Sequence, residues 1–172
     1  MPASPTVPVP PARRAEPLQR LLFGGIYGTI LASALAAALD NDHGSPNPAY
    51  DALWILLTSL ASAAAHGYAH AIAHRTADGV PVTTSTVRSV LTEWPLIAAV
   101  LPTVAALLGA HEGWWGEDGA IAVALLINTV ALFGWGFWAA RVAGRSWGKA
   151  SRTGGMDMLI GLFIVTANIL IH

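Results

Sequence analysis

Apolar residues gather in long runs along this chain, and polar residues gather between them. The first run, Leu21 to Leu39 (LLFGGIYGTILASALAAAL), carries no charge. At about 1.5 Å per helical residue it is long enough to cross about 30 Å of hydrocarbon. Four more runs follow, at about Tyr50–Ala73, Val87–Ala110, Ala120–Ala143 and Met156–Ile171, the last of them short. The pattern predicts an all-α, polytopic membrane protein, a bundle of transmembrane helices. Its short linkers make consecutive helices antiparallel neighbours. Pro102 predicts a kink near residues 98–102. Residues 1–17, MPASPTVPVPPARRAEP, are proline-rich without apolar periodicity and read as a disordered tail. Arginines precede the first run and small residues end it, as in a signal peptide. Its length and the proline-rich tail before it favour a retained helix.

Within the runs, two stripes stand out. Gly24, Gly28, Ala32 and Ala36 recur at steps of four, a small-residue face that lets a second helix approach closely. In the second run Thr58, Ser62, His66, His70 and His74 share the same spacing. Each step of four advances only about 40° around a helix, so these polar side chains line one broad face. Hydrocarbon cannot satisfy such a face, which must meet protein or water.

Charge orients the spans. All nine Lys and Arg fall in three segments: Arg13, Arg14 and Arg20; Arg75 and Arg88; and Arg141, Arg145, Lys149 and Arg152. The alternate connections hold Asp40, Asp42 and Asp51, then Glu112, Glu117 and Asp118. The positive-inside rule sets the N-terminus inside and the C-terminus outside, as an odd number of spans requires. Trp54, Trp114 and Trp115 would mark the outer interface, Trp94 and Trp147 the inner one.

Composition agrees. Of 172 residues 54% are hydrophobic and 11% charged, against about 25% charged in soluble domains. A net charge of −1 gives no footprint for nucleic acid. The absence of cysteine excludes disulfides, zinc–thiolate sites and thiol catalysis. No nucleophile motif, phosphate-cradling glycine loop or nucleotide signature appears, so no enzyme activity is expected.

This topology brings chemistry to one depth. His74 falls at the cytoplasmic interface and His66 about 12 Å deeper. Glu93 opens the third run; Asp157, flanked by Met156 and Met158, opens the fifth. Imidazole and carboxylate suit Fe²⁺, Mn²⁺ or Zn²⁺, and thioether adds a softer ligand. The same groups suit a proton path. The expectation is that His66, His70, Glu93 and Asp157 converge in the cytoplasmic half of the bundle. Simpler readings compete: His74 and Glu93 as solvated interfacial groups, Asp157 as a helix cap, and His66 and His70 as packing hydrogen-bonders. Asn128 and Asn168 read as ties between helices.

The segment LQRLLFGGIYGTILASALAAAL resembles the first helix of the vacuolar iron transporter family, with Phe23-Gly24 and Gly28 in that frame. SLASAAAHGYAHAIAHR is similar to the family's small-residue second helix, and residues 131–172 to its last two helices and their basic loop. The resemblance implies five helices, a dimer, and movement of Fe²⁺ or Mn²⁺ out of the cytoplasm against protons. Tyr27 stands where the family has its transport aspartate, and Gly67 or Tyr68 where it has the glutamate. The loop from Arg75 to Arg88 is too short for the cytoplasmic metal-collecting helices.

Two functions follow as expectations. One is a small transporter or channel for divalent metal cations or protons in the bacterial plasma membrane, with a transition metal as substrate and a homodimer as its assembly. The other is a non-transporting subunit that packs on a partner through the small-residue face of the first helix.

Overall fold

The computed structural model describes residues 12–40, 47–78 and 91–171 of the chain. These form α1 (Ala12–Asp40), α2 (Pro48–Asp78), α3 (Trp94–His111), α4 (Glu117–Val142) and α5 (Trp147–Ile171). All five are long and apolar enough to cross a membrane, over Pro17–Leu39, Pro48–His70, Trp94–His111, Asp118–Val142 and Trp147–Leu170. The fold is therefore all-α and of the multi-pass membrane type.

Three boundaries differ from the sequence reading. Residues 1–11 lie outside the described residues, but helix begins at Ala12, inside the segment read as a tail. Ala, Arg, Leu and Gln are strong helix formers, and Pro17 forgoes only one backbone bond. The helix of the third run that the structure describes begins at Trp94, after a turn at residues 92–93; Val87, where the sequence reading starts the run, lies outside the described residues. Pro95 in its first turn suits that start, because proline lacks the N–H that a first turn leaves unpaired anyway. Glu93 thus sits at the N-cap, with no side-chain capping bond. The fifth helix starts at Trp147, well before Met156, so Lys149 and Arg152 are helical. The third helix runs on through Pro102.

Two turns share one design. After α3, Trp114 N–H donates to Gly109 O and Gly113 N–H to Ala110 O; after α4, Arg145 N–H donates to Ala140 O and Gly144 N–H to Arg141 O. These paired bonds need a left-handed residue, supplied by Gly113 (φ 78°) and Gly144 (φ 74°).

In the bundle, α3 packs against α1, α2 and α4; α4 pairs most extensively with α5; and α1 reaches every other helix. The flanking helices are α2 and α5. The small-residue stripe of α1 makes the tight α1–α3 contact possible. A Cβ on Gly28 would run into the backbone carbonyl of Leu96, and one on Gly24 would lie 3.0 Å from Leu96 N. Ala32 and Ala36 continue the contact into an apolar core with Ala52, Ile55, Val100, Leu107 and Ile121. The stripe thus serves as a close helix–helix contact inside the chain.

Four buried hydroxyls are satisfied within their own helices. Thr29, Ser33, Ser59 and Thr129 each donate to the carbonyl four residues earlier. A polar bond also crosses helices in the core: Asn128 Nδ2 donates to Thr103 Oγ1 at 2.9 Å, tying α4 to α3. Asn128 is the tie between helices that the sequence suggested. Asn168 is also buried.

Candidate functional site

The polar stripe of α2 faces outward along α1. Thr58, Ser62 and His66 are half-buried and His70 is exposed; the side chain of His74 lies outside the described residues. The His66 ring lies 4.9 Å from Tyr27 and 5.4 Å from Phe23, centroid to centroid, and 6.3 Å from His70. Phe23 and Tyr27 are themselves stacked at 5.8 Å. The result is a ladder of Phe23, Tyr27, His66 and His70 over the α1–α2 seam. The two imidazoles lie on adjacent turns of one helix face, where two ligands of one helix must stand to share an ion.

Glu93 is buried, with 5% exposure. Among the described residues its carboxylate has no hydrogen-bond partner. Its neighbour Thr92 accepts a 3.2 Å hydrogen bond from Arg20, which anchors the start of α3 to α1.

Asp157 is not a helix cap. Ten residues into α5, it lies against Gly136 of α4, where any Cβ would strike its carboxylate. Met156 is 70% exposed and turned elsewhere. Met158 lines a third place, an apolar groove of about 420 Å³ between α4 and α5 with Leu125, Leu162 and Asn168. Consecutive helical residues point about 100° apart, so Met156, Asp157 and Met158 cannot serve one ion from one helix.

The contacts fix relative depth. His66 is level with Phe23 and Tyr27. Gly25, between them, seats the Trp135 indole, and Asp157 lies at the next residue of α4, Gly136. His66 and Asp157 therefore occupy one layer of the bundle, with Glu93 about a turn nearer the same end. The expected convergence is not seen. Among the described residues, no three His, Asp or Glu side chains form a group that could hold one ion. Trp135 wedged on Gly25 and the placement of α2 and α5 on opposite flanks hold the groups apart. Sequence reading missed Tyr27 as the neighbour of His66, although its step of four from Phe23 marks the same face. It also missed Gly136, whose lack of a side chain makes room for Asp157.

The outward surface suits lipid. Leu126, Phe163, Ile169 and Leu170 are each more than 60% exposed. Five apolar helices and this surface define a multi-pass membrane protein. Compared with protein-family models, with curated proteins and with solved structures, the chain matches none.

Proposed function

We propose that the protein is a subunit of a small transporter or channel for a divalent transition cation or for protons, working as a homodimer that meets over the α1–α2 face. The observation that carries this reading is the position of His66 and His70. They form a titratable pair on the outside of the bundle, next to Tyr27, with His70 exposed. A polar stripe at that depth calls for a covering protein surface or for water. Two copies related by a two-fold axis would bring four imidazoles together, a donor set suited to Zn²⁺, Mn²⁺ or Fe²⁺. In this reading the protein lies in the plasma membrane of a bacterial cell, N-terminus inside and C-terminus outside, the orientation that the positive-inside rule assigns to this distribution of Lys and Arg.

Titration calorimetry with Mn²⁺, Fe²⁺ and Zn²⁺ on the purified protein tests it. Binding of about one ion per two chains is expected, and the His66→Ala, His70→Ala double variant should lose it. No binding of any of the three, together with no proton flux in proteoliposomes, would refute the proposal.

A second reading has its own observation. The His66 ring contacts three aromatic neighbours, Phe23, Tyr27 and His70, as a structural ladder would. The protein would then be a non-transporting subunit of a larger membrane complex. In that case His66→Phe should leave assembly and stability intact.

A further inference from the structure

The turn from α4 to α5 opens a cleft of about 700 Å³, lined by Arg145, Ser146, Lys149, Arg152, Thr153 and Met156. We infer that this cleft binds the phosphate headgroup of an anionic phospholipid, held by Arg145, Lys149 and Arg152 at the membrane interface.

The cleft is built by the local sequence. Gly144 ends α4 in a left-handed turn, and Arg145 N–H bonds back to Ala140 O, leaving Arg145 beside the start of the cleft. Arg141 holds this turn from outside the cleft. Its Nη1 donates to Arg145 O at 2.8 Å, and its guanidinium lies 4.4 Å over the Trp147 ring. Trp147 also packs on Phe137, with centroids 5.5 Å apart. On α5, Lys149, Arg152, Thr153 and Met156 recur at steps of three and four, so they share one face. Ser146 stands at the helix N-terminus, where first-turn N–H groups lack intrahelical acceptors. None of the cleft's described lining residues is acidic. The nearest carboxylate in sequence, Asp157, is turned away onto Gly136.

Three cations, the Ser146 hydroxyl and the first-turn N–H groups make a phosphate site, while the Thr153 hydroxyl donates back to Lys149 O at 3.1 Å. What selects a lipid over a soluble phosphate is the surface below. The same face of α5 continues through Met156, Ile160 and Phe163, all exposed and apolar. Acyl chains can lie along that stripe while the headgroup sits among the cations, and Trp147, 68% exposed, marks the interfacial level. A loop whose only task is to set topology does not need the cleft.

The test uses the full-length protein in neutral detergent. Phosphatidylglycerol, phosphatidylcholine, and inorganic phosphate with glycerol phosphate are the three arms, read by native mass spectrometry and by thermal midpoint. Phosphatidylglycerol should be retained and stabilising; the other two should not. Each basic side chain near an anionic surface adds roughly fivefold in affinity, so the Arg145→Gln, Lys149→Gln, Arg152→Gln variant should lose on the order of a hundredfold. Should that variant fail to fold, Met156→Glu keeps all three cations and should still abolish the preference. In 1 M salt, where screening falls to about 3 Å, the wild-type preference should shrink. Equal retention of both lipids would overturn the inference. So would an equal shift with soluble phosphate, which would make the cleft a free-anion site, or a preference that Met156→Glu leaves unchanged.

Discussion

Replacing Gly28 by alanine adds one methyl group at the tightest point of the α1–α3 contact. The new Cβ would meet the Leu96 carbonyl oxygen, and would lie 3.0 Å from the Ala99 Cβ and 3.1 Å from the Leu96 carbonyl carbon. Two of these are backbone atoms of a helix, which cannot rotate away as a side-chain tip can. The helices must separate, and the core around Ala32, Val100 and Leu107 loosens with them. Overpacking of this kind costs about 1–3 kcal/mol, and a backbone clash belongs at the upper end. The alanine gains about 1 kcal/mol in helix propensity, so the net loss should be about 2 kcal/mol. Gly134 provides the control. It lies in α4, and a Cβ there meets nothing within 4 Å. Gly134→Ala should therefore gain about 1 kcal/mol, a contrast of about 3 kcal/mol between two identical substitutions. Equilibrium unfolding in mixed micelles, followed by tryptophan fluorescence, measures both. Equal stability of the two variants would refute the α1–α3 register.

The Asn128–Thr103 bond is the second test. Asn128→Ala and Thr103→Val, combined in a double-mutant cycle, should show a coupling of about 0.6–1.7 kcal/mol, and no coupling would mean that the two side chains do not meet. Orientation is the third. The chain has no cysteine, so Glu112→Cys, just after α3, and Gly148→Cys, in the first turn of α5, give single labels at exposed positions at opposite ends of the bundle. An impermeant maleimide should label Glu112→Cys in intact cells and Gly148→Cys only after lysis; the reverse pattern would invert the topology. Metal bound at His66 and His70 should be released on acidification, because the proton competes for the same ring nitrogen. Release that is insensitive to pH would exclude imidazole ligation.

The spans were legible in the sequence because their cause is local. About 20 apolar residues are needed to cross hydrocarbon, and any chain segment either has them or lacks them. The small-residue stripe at Gly24, Gly28 and Ala32 was legible as a contact face for the same reason, since its spacing depends only on helical geometry. Helix ends were less so. Lys149 and Arg152 mark the edge of the hydrocarbon, but a helix does not stop where hydrocarbon stops, and α5 continues past them to Trp147. Which helix meets which face is not a property of any one segment. The sequence set His66 and Asp157 at similar heights, and height alone suggested that they meet. The tertiary structure decided otherwise, because direction around each helix axis is chosen by packing. The Trp135 ring found Gly25, the Asp157 carboxylate found Gly136, and Phe23 and Tyr27 took the His66 ring. Each of these matches joins a large side chain to a gap or an aromatic face on a different helix, and only the assembled bundle brings the two halves together.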